Sequence, residues 1–344
     1  MSHLLIDAAL GRPVPRTPIW IMRQAGRYMA SYRAIRQKMS FLELCHTPEK
    51  AAEVSLMPLD QLGIDGVIVF CDILVPLEAM GMDLRFDPGR GPVLSDPIRS
   101  RSDIARLRSY DPEVETGYLP QTIRLLVQEV GDRAPILGFA GAPYTLACYA
   151  IEGSTARHYG KTKKFMMEDP KGFHELMTVL SDAVADLLIA QIEAGASLVQ
   201  LFDTWAGDLM PDQYRQMALP YSQRIIEKVR RPGVPVVHFM NGVGGKLQDV
   251  AQMGADVLSI DWRTDLADVR AQLGNDVVLQ GNLDPCTLYA PHDVIEARAK
   301  AVLEANGGGP HVFNLGHGIL PDIKVENAKH LVETVQRISI KDVS

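Results

Sequence analysis

The chain has 344 residues, 47% of them hydrophobic and 22% charged, with a formal net charge of −7. This balance suits a soluble globular enzyme with a large core and argues against a nucleic-acid binder, which would present a basic face. No apolar run approaches the ~18 residues of a membrane span, and an anionic substrate would need a local cationic cluster to offset the overall charge.

Short runs rich in Val, Ile and Leu recur at residues 19–22, 66–70, 136–139, 198–202, 236–240, 257–260, 277–279 and 311–314. Such runs suit strands buried on both faces of a parallel sheet. Helical patterns lie between them. One starts at Thr47-Pro48 and stops near Gly63. Another starts at Asp169-Pro170, an N-cap followed by proline, and ends at Gly195. Two more cover 292–306 and 321–338. Eight strand–helix alternations predict a single (β/α)8 TIM barrel, an α/β fold spanning residues 1–344 as one catalytic domain. The segments 23–46, 74–110 and 143–168 are enlarged loops after the first three strands. In a barrel they emerge at the C-terminal face and would wall a deep pocket for a large substrate. The four cysteines, Cys45, Cys71, Cys148 and Cys286, lie far apart without C-x-x-C spacing. With no signal peptide evident, they predict a cytoplasmic location.

Each strand ends on groups capable of chemistry. After the first, Arg23, Arg27, Arg33, Arg36 and Lys38 place five cations in sixteen residues without an acid. Such a run is often a solvated loop. Directly after a barrel strand in an acidic protein, it points to anion binding, because guanidinium forks grip carboxylates bidentately. Asp72, at the exit of the second strand, has no basic residue near it in sequence. It fits either a helix N-cap or an acceptor for several ligand N–H donors. Tyr149 and Thr204 follow the third and fourth strands, and His317 stands between two glycines after the eighth. No G-x-G-x-x-G, phosphate loop or zinc-ligand spacing occurs, so neither cofactor nor metal is expected. The glycines at 242–245 and 307–309 read as turns.

The stretches PIWIMRQAGRYMASYRAIR, FCDIL, GFAGAPYTLACYAIEG, LVQLFDTWAG, LQGNLDP and NLGHGI together resemble the uroporphyrinogen decarboxylase family, over nearly the whole chain. The resemblance implies a carboxy-lyase of haem biosynthesis whose substrate is a cyclic tetrapyrrole with eight carboxylates. It assigns Arg23, Arg27 and Arg36 to the acetate and propionate arms. Asp72 would accept the central pyrrole N–H groups, Tyr149 and Thr204 would supply hydroxyls beside it, and His317 would touch a substrate carboxylate. Asp72, Arg23 and Tyr149 form the implied catalytic set. Many members carry serine at position 204; the hydroxyl is retained here. The resemblance also implies a homodimer with facing barrel mouths and a protonated pyrrole serving as electron sink in place of a cofactor. Two alternatives stand beside it. A related cobalamin-dependent methyltransferase would bind zinc through His-x-Cys after the fifth strand, where this chain has His238-Phe239-Met240. A non-catalytic tetrapyrrole-binding protein would not need the full residue set.

Overall fold

In a computed structural model, which describes residues 3–87, 89 and 91–340, seven parallel strands form one curled sheet. They are β1 (Val67–Ile68), β4 (Ile136–Gly141), β5 (Leu198–Asp203), β6 (Val236–Met240), β7 (Val257–Ile260), β8 (Val278–Leu283) and β9 (His311–Leu315), each paired with the next. β2 (Leu84–Asp87) and β3 (Gly91–Leu94) form a separate antiparallel hairpin. This is the expected α/β barrel layout, with short buried strands and helices packed outside.

The predicted first strand is the exception. Residues 19–22 make only one parallel bridge, Ile19 to Phe313 of β9. Phe313 N donates to Pro18 O at 2.8 Å, and Trp20 N to Phe313 O at 3.3 Å. Toward β1, side chains take over the pairing. Asp65 accepts from Ile19 N at 2.8 Å, its own N–H donates to Ile19 O at 2.8 Å, and Gln24 accepts from Ile21 N while donating to Gly66 O. The segment therefore joins both edges of the sheet without being a regular strand. The second expected strand is also cut short, because Phe70 N donates to Ser55 Oγ at 2.8 Å and leaves the ladder.

Helix bounds follow the caps. Pro170–Glu193 opens on Asp169, whose carboxylate accepts from Gly172 N at 2.9 Å, and Gly195 beyond it has φ +116°. Pro48–Leu62 ends on Gly63 at φ +74°, but Thr47 does not cap its start: its hydroxyl donates to Glu43 O. Helix Val325–Ile338 begins four residues later than 321, the segment before it forming a turn. The enlarged loops carry their own short helices: Ala30–Arg36 and Phe41–Cys45, then Val75–Ala79 and Arg101–Ile104 around the hairpin, then Pro143–Glu152 and Gly160–Glu168. Ile19, Ile21, Phe313 and Leu315 pack with helices Pro48–Leu62, His292–Ala305 and Val325–Ile338 in one hydrophobic cluster, so burial on the outer side holds the seam. Inside the barrel, Trp20 Nε1 donates to Gln280 Oε1 at 2.9 Å, and Gln280 Nε2 donates to Gln200 Oε1 and Ser259 Oγ. In this buried polar plug the Gln280 amide is fully bonded, while Gln200 Nε2 has no partner among the described residues.

Asp65 also takes a bidentate pair from Arg16, at 2.7 and 2.5 Å. Asp65→Ala strips the seam of an acceptor and leaves a partly buried guanidinium unpaired. It is expected to lower stability by about 2–4 kcal/mol, with Asp65→Asn milder because one acceptor survives. Urea unfolding measures both; coincident midpoints for Ala and wild type would show that the seam does not depend on this carboxylate.

Candidate active site

A cavity of about 370 Å³ opens at the C-terminal ends of the strands. Its wall contains Arg23, Arg27, Asp72, Tyr149, Thr204 and His317, drawn from five different strand exits. Arg36, which the sequence placed with them, does not line it. Its Nη1 donates to Met39 O and its guanidinium sits 5.9 Å from the Phe41 ring centroid, behind the wall that Tyr32 and Phe41 make. Arg33 is spent on the loop itself, donating to Arg27 O at 2.8 Å and Tyr28 O at 2.9 Å. The cationic run thus divides into two cavity-lining arginines, Arg23 and Arg27, and two, Arg33 and Arg36, bonded to nearby backbone carbonyls.

Arg23 is held in an unusual backbone conformation, φ +63°. For a residue with a Cβ this costs roughly 1–2 kcal/mol. Its neighbours over-determine it: Met22 N donates to Asn314 Oδ1 at 2.9 Å, Ile319 N to Met22 O at 2.9 Å, and Gln24 N to Ile21 O at 2.8 Å. The glycines around His317 serve this packing. A Cβ on Gly318 would stand 2.3 Å from Arg23 Cδ, and one on Gly316 2.2 Å from Trp262 N. They leave room for protein neighbours.

Asp72 accepts from Leu74 N at 2.9 Å, a turn just before helix Val75–Ala79. Among the described residues no donor reaches its second oxygen. Burial pushes its carboxyl up to about 6, against the lowering pull of the Leu74 N–H and the Arg23 charge. Tyr149 is raised to about 12 by burial and by Asp72. His317 is lowered to about 4, first by burial and then by Arg23 and Arg263. Its Nδ1 accepts from Gly318 N at 2.7 Å, so the neutral ring carries its proton on Nε2 and is a donor. Thr204 directly follows β5. Phe139 and Phe202, 5.8 Å apart edge to face, join the hydroxyls in the wall. These aromatics, with Tyr32 and Phe41, were missed as site residues; Phe139 and Phe202 close strand runs in two of the quoted motifs, and that position was the available signal.

His238 of β6 is fully buried. It pairs with Leu201, which puts it on the strand face opposite Phe202 and Thr204, away from the cavity.

The model of the family described as Uroporphyrinogen decarboxylase (URO-D) matches residues 2–338. The chain belongs to the uroporphyrinogen decarboxylase family. It is 48% identical over 342 residues to the uroporphyrinogen decarboxylase of Geobacter metallireducens, covering 99% of this chain and 100% of that one. It is 50% identical over 341 residues to that of Chloroflexus aurantiacus, covering 98% and 96%. Among solved structures, a methyltransferase from Methanosarcina mazei superposes with a TM-score of 0.79 at 23% identity, covering 98% of this chain and 99% of that one. That likeness concerns the family's fold.

The raised Asp72 carboxyl yields a stability prediction. Its folded-state value of about 6 lies above the ordinary 3.8. The folded protein therefore binds this proton more tightly, and the stabilisation present below pH 3.8 is lost as pH rises through 6. Asp72→Asn cannot ionise and keeps an acceptor for Leu74 N. It is expected to be more stable than wild type by about 1–3 kcal/mol at pH 7.5 and to match it near pH 3.8. Denaturation midpoints across that range decide; a constant offset would show that Asp72 ionises as freely as an exposed carboxyl.

Proposed function

We propose that this protein removes CO2 from the four acetate side chains of uroporphyrinogen III to give coproporphyrinogen III. The observation that carries the reading is the cavity wall: one carboxylate of raised pKa, two arginines, and neutral hydroxyl and imidazole donors on five strand exits. Family membership supports the same activity.

In this reading Arg23 and Arg27 grip acid arms, with Arg36 adding long-range attraction from behind the rim. His317 donates through Nε2 to a carboxylate. Asp72 accepts the pyrrole N–H groups with the oxygen that Leu74 leaves open. Decarboxylation then starts with a proton on a pyrrole carbon, which makes the ring cationic. The bond to the acetate carboxylate breaks, its electron pair neutralises the ring through an exocyclic double bond, and CO2 leaves. A proton on the exocyclic carbon and loss of the first ring proton restore the pyrrole with a methyl group. One proton is consumed per CO2. Between Arg23 and Asp72 as donor for the first transfer, Asp72 matches better. Arginine stays protonated, whereas an acid of pKa about 6 gives up a proton near neutrality. The transfer leaves a carboxylate beneath the new cation, where displacement of water by the bound substrate strengthens the attraction. Tyr149 and Thr204 orient the reacting arm.

A single catalytic domain, a homodimer and a cytoplasmic setting belong to the same proposal. All four cysteines are free, as in a reducing compartment. Among the described residues no helix is long and apolar enough to cross a membrane. The substrate itself acts as electron sink, so full activity is expected after dialysis against a chelator. A zinc-dependent methyl transfer would need three protein ligands; the turned-away His238 and the methionine at 240 do not offer them at this cavity.

The decisive test is anaerobic incubation with uroporphyrinogen III under reducing conditions, with products separated by carboxylate number. Stepwise loss down to four carboxylates is expected. No loss of CO2 would leave a binding protein. Asp72→Asn should fold and lose roughly 10²–10³ in kcat. Arg27→Ala should lower kcat/KM about 10- to 100-fold, and Arg36→Ala less, because Arg36 stands outside the wall. Equal effects of the two arginine variants in that assay would place both on the substrate.

A further inference from the structure

Thr204 makes no hydrogen bond of its own among the described residues, yet it is bracketed by a single hydroxyl. Thr145 Oγ1 donates to Asp203 Oδ1 at 3.1 Å and accepts from Trp205 N at 3.2 Å. It therefore ties the residue before Thr204 and the residue after it. Thr145 and Asp203 are fully buried, and neither lines the cavity. Pleat alternation explains the arrangement: Phe202 and Thr204 face the cavity while Asp203 faces the outer helices. Thr145 lies in the first turn of helix Pro143–Glu152, one helical turn before Tyr149. The Tyr149 ring in turn stands 6.3 Å from the Trp205 ring. Ala142 N donates to Phe202 O at 2.9 Å, so helix start and strand end are joined at two points.

We infer that Thr145, through Asp203 and Trp205, is a positioning residue that sets the Thr204 hydroxyl in register with Tyr149 for the reacting arm. The inference rests on the proposed role of Thr204. A hydroxyl that both donates and accepts is required; serine supplies it, and valine, of the same shape, supplies neither. Loss of the bracket frees the backbone at Thr204, and small displacements of a positioned group are costly to rate.

The test is a double-mutant cycle on kcat and KM with uroporphyrinogen III. Thr145→Val is expected to lower kcat about 10- to 100-fold with KM changed less than about threefold. Thr145→Ser should stay within about threefold of wild type. In a Thr204→Val background, Thr145→Val should add almost nothing, since the group it positions is gone. Full additivity, wild-type kinetics of Thr145→Val, or wild-type kinetics of Thr204→Val in an active enzyme would each overturn the inference. If Thr145→Val does not fold, Asp203→Leu, which removes the acceptor of the Thr145 hydroxyl, replaces it in the cycle with the same expected non-additivity. An inactive wild type would instead defeat the decarboxylase reading itself.

Discussion

The structure depends on how residues 18–24 are held between the two edges of a seven-stranded sheet. Backbone pairing to β9 is brief, and the other side is sealed by Asp65 and Gln24 acting as side-chain substitutes for a ladder. A regular strand would continue straight out of the barrel. Here the chain instead turns sharply at Arg23, whose positive φ is stabilised by Asn314 and Ile319 from the far edge. Both wall-lining arginines hang from that turn. Closing the barrel and aiming the cations are one structural event, which is why the glycines flanking His317 are shaped to Arg23 and Trp262.

Electrostatics inside the cavity run against the net charge of the chain, −7. Burial favours the neutral form of every titratable group that can reach it. Asp72 rises toward neutrality and His317 falls to it, while arginine cannot follow. The cavity lining is therefore cationic near neutral pH, although acids outnumber bases overall. Arg23 and Arg27 are exposed. Their ion pairs with a ligand gain strength only as the ligand displaces water from them, so a large, many-armed anion that fills the cavity profits more than a small one.

The strand–helix rhythm was legible because apolar runs and helix caps are local signals. Asp169, Gly195 and Gly63 mark their helix ends where the sequence placed them. What stayed hidden depends on partners distant in sequence. Nothing near Phe70 shows that its N–H goes to Ser55, and nothing near residue 19 shows that Asp65 will replace a strand. The grouping of Arg23, Arg27, Asp72, Tyr149, Thr204 and His317 was anticipated through the resemblance and the rule that barrel strand ends converge. That Arg36 would fall outside the cavity lining could not be read from the sequence, because a seven-residue helix, Ala30–Arg36, does not reveal which way its last side chain turns. Aromatic walls such as Phe139 and Phe202 look like core in any sequence, since a cavity floor is core seen from the other side.

The likeness in fold to the methyltransferase from Methanosarcina mazei shows how little of the chemistry a barrel dictates. Strand pleat decides which side chains can take part. On β5, Phe202 and Thr204 face the cavity and Asp203 faces away. On β6, the register with β5 puts His238 on the outward face, 3.9 Å from Asp203. A shift of one residue in β5 would bring its acid into the cavity and bury the hydroxyl, and one in β6 would bring in the imidazole. The register is fixed by the aromatic layer of Phe139, Phe202 and Phe239 and by the glutamine–serine plug beneath it. The glutamines and the serine of the plug do not line the cavity, yet they help select which chemistry it presents.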